Sequence, residues 1–128
     1  MKRIILSLGM LLMLAQNGFA MSGSEASKIK YIRNQVSLCN KQMDRNLKYA
    51  DVNICLKAKE LMLNNGGVLT YTKQDIASVN EFIGVIYDVT VQDKIKAYKY
   101  YMLSARQGSI EAQHNLHIMC KENPWACQ

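Results

Sequence analysis

Residues that interrupt helices are scarce in this sequence. Among 128 residues there is one proline, Pro124. Proline cannot continue a helix, so its scarcity leaves room for long helical segments. Apolar residues recur every three or four positions and not in alternation, which is typical of helices and not of strands. We therefore predict an all-α chain of about five helices, arranged as antiparallel helical hairpins.

Motifs that bind metals are also lacking. The chain contains two histidines, His114 and His117, and no pair of cysteines has the CxxC spacing that structural zinc sites commonly use. The two histidines could share one helix face, but no carboxylate or cysteine clearly converges with both of them. We therefore predict no metal site and no cofactor, and interpret the histidines as polar or packing residues.

A long apolar run occurs only once, at the start of the chain. Lys2 and Arg3 precede the mostly apolar residues 4–14, and residues 18–20 place small side chains three and one positions before a plausible cut. This is the three-part pattern of a secretory signal peptide. The run is shorter than the ~20 residues that span a bilayer. We expect cleavage after Ala20, not a retained membrane anchor, and a periplasmic protein.

Cleavage would leave residues 21–128 as a single small domain. The loss of Lys2 and Arg3 lowers the formal net charge from +6 to +4. A mildly basic exported protein suits an acidic protein partner better than a nucleic acid. All four cysteines lie in this domain, and an even number of cysteines in a small exported chain predicts disulfides.

Helical geometry favours one pairing of the cysteines. Cys39 and Cys55 lie eight positions either side of Leu47, so they would face each other in an antiparallel hairpin that turns there. Cys120 and Cys127 would then close a small C-terminal loop. Such links typically contribute ~2–4 kcal/mol each, which a core of this size would need.

Apolar spacing and capping residues place the helices at about residues 27–44, 51–63, 76–87 and 91–107, with a fifth after Ser109. Thr72 and Asp75 have the spacing of a capping box before the third helix. Gly108 would turn the chain between the last two helices. The first helix is predicted to bury the stripe Ile29, Ile32, Val36, Cys39 and Met43. The third is predicted to bury one face, made of Ile76, Val79, Ile83 and Ile86.

The last two helices carry a pattern of small residues around one aromatic residue, flanked by polar and aliphatic positions. Its members are Asp93, Lys96, Ala97, Tyr101, Ser104, Ala105, Gly108, Ala112, Gln113 and Leu116. This pattern resembles the Sel-one-like repeat, a relative of the tetratricopeptide repeat that pairs two antiparallel helices. The end of a preceding repeat is matched by Ile83, Gly84 and Tyr87. The resemblance covers about residues 78–120. It departs from the family at His117 and Cys120, where the repeat has glycine and tyrosine, and in a shorter loop after Tyr87.

Repeats of this kind use the first helix of each pair to line a concave binding face. The resemblance therefore implies a binding surface on the outward side of the fourth helix, if Ala97, Tyr101 and Ala105 face inward. That side carries a basic stripe of Lys96, Lys99, Leu103 and Arg106, which suits an acidic protein surface. The alternative is an ordinary solvated face. Trp125 is a candidate second anchor, because tryptophan is favoured at binding hot spots, or it packs over the last helix.

Candidate catalytic groups are few. Ser27 and Lys30 fit the S-x-x-K motif of penicillin-recognising enzymes, and cysteine-rich members of the Sel-one-like family have been described as β-lactamases. The accompanying S-D-N and K-T-G motifs are missing, which favours a capping serine at a helix start. The acidic residues that could be paired are expected to be solvated surface charges; they are Asp88 with Asp93, and Glu81 with Asp75. We predict that the protein is not an enzyme.

These inferences predict an exported, non-catalytic protein-binding module. Small periplasmic proteins with disulfides and short Sel-one-like arrays resemble immunity proteins, which block antibacterial toxins such as type VI secretion effectors that act in the envelope. That is the preferred hypothesis. An adaptor in envelope assembly is the alternative, and a β-lactamase-like enzyme is the least favoured. The sequence does not identify the partner.

Overall fold

The computed structural model describes residues 23–44, 46–65 and 67–128, and every regular element in these ranges is helical. The prediction of an all-α fold with five helices is confirmed. The α-helices, α1 to α5, are Gly23–Asp44, Val52–Asn64, Lys73–Val85, Lys94–Arg106 and Ile110–Glu122. The predicted signal peptide lies outside the described residues. None of the helices in the described ranges is long and apolar enough to cross a membrane.

Side-chain caps explain where four of the helices begin. Asp51 caps α2, Asp93 caps α4 and Ser109 caps α5, each by accepting a hydrogen bond from a backbone N–H in the first turn. The predicted capping box is present at α3, where Thr72 and Asp75 each accept a hydrogen bond from the other's backbone N–H. The fourth helix therefore begins at Lys94, three residues later than predicted, because Asp93 caps it.

The α1–α2 hairpin forms as predicted. Cys39 and Cys55 are joined in a disulfide with their Cα atoms 4.7 Å apart, and both residues are buried. The predicted stripe of α1 is buried along its whole length, from Ile29 to Met43. A short 3-10 turn, Leu47–Tyr49, connects the two helices. The second predicted disulfide, Cys120–Cys127, is also present and closes the 3-10 turn Pro124–Ala126.

Helix α3 differs from its prediction. One buried face was expected, but every residue from 77 to 88 is buried and Ile76 is only half-buried. The reason is that α3 packs between α2 and α4 and is also covered by the segment that follows it. A helix enclosed on several sides needs no single apolar stripe. The third helix is therefore the central element of the fold.

The expectation of solvated acidic residues is wrong for three of the four. Glu81 is fully buried, and Asp75 and Asp88 are almost so. Asp75 belongs to the capping box, and Asp88 forms an ion pair with Lys94, with 2.6 Å between carboxylate oxygen and Nζ. Burial of Asp75 and Asp88 is tolerable because these polar partners replace the water that the two carboxylates lose.

Helices α3 and α4 approach each other closely at one glycine. A Cβ atom at Gly84 would lie 2.6 Å from Cδ1 of Tyr101, whose side chain is fully buried. Further along the same contact, the hydroxyl of Ser104 donates a hydrogen bond of 2.6 Å to the carbonyl of Ala77. Gly108 has a φ of +100°, which permits the reversal from α4 to α5 as predicted.

Candidate functional site

The outer side of α4 meets α2 in a cluster of lysines and tyrosines, which we call the lysine–tyrosine face. It consists of Lys59 on α2, Tyr87 after α3, and Lys96, Lys99 and Tyr100 on α4. The rings of Tyr87 and Tyr100 are stacked, with centroids 5.6 Å apart and an interplanar angle of 22°. Residues from three separate segments of the chain therefore meet here, with Tyr87 only 8% exposed beneath the half-buried ring of Tyr100.

All three lysines of this face lie against the stacked tyrosine rings. The Nζ atoms of Lys59 and Lys99 are 5.0 and 5.5 Å from the ring centroid of Tyr100, and Nζ of Lys96 is 5.4 Å from that of Tyr87. These distances are those of cation–π interactions. Each ammonium group is thus partly stabilised by an aromatic ring.

The position of Tyr87 depends on a π-helical turn. Regular α-helix ends at Val85, two residues before the predicted end, and a wider turn continues from Ile86–Val91. The turn ends at Gln92, whose φ is +61°. The N–H of Asp93 then donates a hydrogen bond of 2.8 Å to the carbonyl of Tyr87. Such wide turns are frequent at functional sites because they redirect side chains. Here the turn brings the ring of Tyr87 beside α4.

Buried polar groups hold this turn against α4. Nζ of Lys94 donates hydrogen bonds to the backbone carbonyl and the carboxylate of Asp88, over 2.8 and 2.6 Å. The hydroxyl of Tyr101 donates to the other carboxylate oxygen over 3.2 Å. Burial, and then the negative charge of Asp88, raise the pKa of Tyr101 well above its usual value. The phenol therefore keeps its proton and remains a donor.

The positive charge of the lysine–tyrosine face is not neutralised internally. Among the described residues, the ion pairs between side chains are Lys57–Glu60 and Lys94–Asp88, and neither includes a lysine of this face. Burial lowers the pKa of the Lys59 ammonium group, and the nearby charge of Lys99 lowers it further. Lys59 and Lys99 are thus two like charges held close together, and no carboxylate among the described residues forms an ion pair with either.

The structure brings together only part of the predicted basic stripe. Lys96 and Lys99 are exposed and belong to the lysine–tyrosine face, whereas Leu103 is half-buried and Arg106 is exposed further along α4. Trp125 is 59% exposed, in the turn that the Cys120–Cys127 disulfide closes. That turn packs against α4 as well as α5. The indole is therefore largely free to contact another molecule.

Sequence reasoning missed three residues of this face. Lys59 comes from a different helix, and Tyr87 comes from a turn whose width is set by tertiary contacts. Tyr100 stands beside Lys99 in the segment Lys96–Tyr101, "KAYKYY", and this alternation of lysine and tyrosine is the one signal that could have identified it. Tyrosine is enriched at interfaces, because its ring is apolar and its hydroxyl can form hydrogen bonds.

The other candidate groups do not converge. Ser27 and Lys30 are exposed on α1. Because that helix begins at Gly23, the serine lies inside the helix and the prediction that it caps the start is wrong. His114 and His117 are exposed on α5, and within the described part of the chain no three residues of histidine, cysteine, aspartate or glutamate are grouped to hold a metal ion.

The lysine–tyrosine face has the chemistry of an anion-binding surface. Three ammonium groups supply charge, and two stacked rings supply a rigid apolar platform beneath them. A partner that docks here can place a carboxylate beside the ammonium groups and an apolar side chain against the aromatic rings. Comparisons with protein-family models, with curated proteins and with solved structures find no match to this chain.

Proposed function

We propose that the protein is a non-catalytic binding module that docks on an acidic surface of a partner protein through its lysine–tyrosine face. The observation that carries this proposal is the cluster of three lysines against two stacked tyrosines, without an ion-paired acid among the described residues. Grouping like charges is unfavourable within the free protein. A carboxylate of the partner would relieve that repulsion on binding.

The tyrosines favour a protein partner. Stacked aromatic rings lose little conformational entropy on binding, and tyrosine is enriched among the residues that dominate the affinity of protein interfaces. The lysines add electrostatic attraction, which accelerates the encounter with an acidic surface and disfavours basic ones. Trp125, exposed on its disulfide-closed turn, is a second anchor of the kind found at the centre of such interfaces.

The resemblance to Sel-one-like repeats supports the same assignment. In that family the first helices of successive pairs line the concave binding face. In this chain α2 and α4 would be those first helices, and Lys59 of α2 and Lys99 of α4 lie over the same ring, that of Tyr100. Gly84 beneath Tyr101 and Gly108 at the reversal between α4 and α5 also fit the residue types of the repeat.

The biological form of the proposal is an immunity protein of the periplasm. The signal-peptide pattern of residues 1–20 and the two disulfides suit an exported protein in an oxidising compartment. The partner would be an antibacterial toxin that acts in the envelope, such as a type VI secretion effector. Occlusion of an acidic or catalytic cleft by the lysine–tyrosine face would block the toxin without any chemistry by the bound protein.

The test is a binding measurement with the toxin candidate encoded beside this protein's gene. We expect the double variant Lys59→Glu/Lys99→Glu to bind at least ~10-fold more weakly than the unaltered protein. The matched control is Lys28→Glu/Lys121→Glu, which changes the net charge equally at exposed positions on α1 and α5. Equal affinities for both double variants would contradict the proposed face.

The same experiment separates immunity from the alternative role in envelope assembly. An immunity protein must protect, so the unaltered protein should rescue cells that export the toxin, and the Lys59→Glu/Lys99→Glu variant should not. If the face instead captures an envelope-assembly protein and no toxin, the binding role stands and the immunity role is wrong. Normal rescue by the double variant would contradict the link between this face and protection.

A further inference from the structure

Lys59 differs from the other lysines of the chain in its surroundings. Every lysine in the described ranges is exposed except Lys59 and Lys94, whose side chains are partly buried. Lys94 is held by its two hydrogen bonds to Asp88 and forms part of the core. Lys59 is therefore the one described lysine that is partly buried without an ion-paired carboxylate among the described residues.

The acid nearest to Lys59 in the sequence is engaged elsewhere. Glu60 follows Lys59, but its carboxylate lies 3.8 Å from Nζ of Lys57, on the exposed side of α2. Nζ of Lys59 instead lies 5.0 Å from the ring centroid of Tyr100, and Nζ of Lys99 lies 5.5 Å from the same centroid. Two amines from different helices thus share one aromatic ring.

These surroundings enlarge the neutral fraction of the Lys59 amine. Loss of water around an ammonium group and a like charge nearby both destabilise the protonated form. Burial, and then the charge of Lys99, accordingly lower the pKa of Lys59. A lysine that is desolvated or lies beside another cation is a stronger nucleophile at neutral pH, and enzymes use such lysines to form Schiff bases. Lys59 therefore has the properties of a reactive amine.

The neighbours of Lys59 define the kind of molecule that would reach it. Lys96 and Lys99 are exposed on α4 and supply positive charge on the same face, which raises the local concentration of anions. The half-buried ring of Tyr100 adds apolar surface beside the amine. A small anion with an apolar body is therefore drawn to the immediate neighbourhood of Nζ of Lys59.

We propose that Lys59 is a site of covalent modification by small aldehydes that carry a carboxylate or phosphate group. The anionic group pairs with Lys99, and the lone pair of the neutral Lys59 amine attacks the aldehyde carbon. The carbinolamine that forms then becomes an imine, and the two N–H protons leave with the carbonyl oxygen as water. The reaction needs only the free protein, so it goes beyond the proposed docking function and does not depend on it.

The test is labelling of the purified, oxidised protein at neutral pH with para-formylbenzoate, in the presence of sodium cyanoborohydride to reduce the imine to a stable amine. Peptide mass spectrometry gives the rate of labelling at each lysine. We expect Lys59 to react at least ~5-fold faster than Lys57, which is exposed on the same helix. Equal rates at these two residues, or a faster rate at any other described lysine, would overturn the proposal.

A matched probe tests the need for a negative charge. The amide para-formylbenzamide has the same ring and aldehyde but is neutral, so it should lower the ratio of labelling at Lys59 to that at Lys57 by ~3-fold or more. The same ratio with both probes would show that the negative charge of the aldehyde is not recognised, and the anionic class of ligand would be wrong.

Variants of Lys99 test its assigned role. Because this residue is exposed, its replacement leaves the core intact. Lys99→Gln should lower the Lys59-to-Lys57 labelling ratio ~3–10-fold, whereas Lys99→Arg, which keeps the positive charge, should retain most of it. The control Lys121→Gln, on the last turn of α5, should leave the ratio unchanged. A normal ratio in Lys99→Gln would refute the assignment.

Discussion

The first helical hairpin and the helices that follow it are held together by different means. In α1–α2, a continuous apolar stripe packs beside a fully buried disulfide between Cys39 and Cys55. In α3–α5, close contact at Gly84 is combined with buried hydrogen bonds, and the disulfide lies at the far end of α5. The first hairpin combines apolar burial with a buried covalent bond, whereas the second region adds close backbone contact and buried hydrogen bonds to its apolar burial.

This difference matters because the lysine–tyrosine face belongs mostly to the second region. Tyr87, Lys96, Lys99 and Tyr100 occupy the π-helical turn and α4, whose relative positions depend on the Asp88–Lys94–Tyr101 contacts. Close-packed interfaces and satisfied polar networks adopt one arrangement and resist gradual deformation. This packing would hold the side chains of the lysine–tyrosine face at fixed distances from one another.

Four stability experiments test how far this comparison holds. The largest effect should come from Gly84→Ala. The added methyl group would overlap the ring of Tyr101, so we expect a loss of about 3 kcal/mol in the free energy of unfolding. Urea denaturation followed by circular dichroism measures it. The control Gly67→Ala, where a Cβ would meet no atom within 4 Å, should change stability by less than about 0.5 kcal/mol. Equal effects would refute close fit as the source of stability.

Removing each disulfide in turn should show which of the two regions depends more on its disulfide for stability. The bond Cys39–Cys55 spans 16 residues and Cys120–Cys127 spans 7, and the entropy of the unfolded chain is restricted more by the longer loop. We expect double alanine variants to lose about 3 kcal/mol for the first pair and about 2 kcal/mol for the second. Chemical denaturation of both variants measures the difference, and a larger loss for the second pair would reverse the comparison.

The next largest effect is expected for Tyr101→Phe, which alters the buried hydrogen bonds among Asp88, Lys94 and Tyr101. Loss of the hydrogen bond to Asp88 should lower stability by about 1.5 kcal/mol at neutral pH. The raised pKa of Tyr101 means that the folded protein holds this proton more tightly than the unfolded chain does. Its contribution is complete below pH ~10, the usual pKa of tyrosine, and declines as pH rises further.

Stability measured between pH 8 and pH 11 checks that sign. The unaltered protein should lose stability more steeply above pH ~10 than the Tyr101→Phe variant. The structure contains no free cysteine among its described residues, so thiol ionisation does not interfere with the comparison. Parallel curves for the two proteins would show that the hydroxyl of Tyr101 is not buried against the carboxylate.

The smallest expected change is Gly108→Ala. The φ of +100° at this position disfavours any residue with a side chain, although a Cβ atom there would meet no neighbour within 4 Å. We expect a loss of about 1 kcal/mol from backbone strain alone. Thermal unfolding measures it, and an effect as large as that of Gly84→Ala would show that the two glycines do not differ in the way described.

The same contrast explains what the sequence could predict. The stripe of α1 and the Cys39–Cys55 pairing follow from helical periodicity, because that hairpin has one side toward the core and one toward water, and Cys120 and Cys127 are then left to pair. Helix α3 has neighbours on several sides, so its buried Glu81 and its enclosed position leave no periodic signal. Similarly, Lys96 and Lys99 lie on one helix and could be found from spacing, whereas Lys59 and Tyr87 reach the face only through packing between helices.

The π-helical turn was not predictable for a related reason. The turn contacts residues that are distant in the sequence, including through a hydrogen bond from the hydroxyl of Thr90 to the carbonyl of Leu47. Local propensity carries no information about such a partner 43 residues away. The boundary between α3 and α4 was therefore misplaced by a few residues, and these are the residues that orient Tyr87.

The lysines that rest on Tyr87 and Tyr100 have a consequence for the speed of recognition. An ammonium group over a ring is already stabilised by its cation–π interaction. A carboxylate that replaces the ring therefore adds only the difference in free energy between the ion pair and the cation–π interaction. The rings of Tyr87 and Tyr100 thus compete with a partner's carboxylates for the ammonium groups of the lysines. Long-range attraction would still accelerate the first encounter with the proposed acidic partner, and each lysine could return to its ring when that partner leaves. The surface would form complexes quickly and tune their lifetime through aromatic contacts.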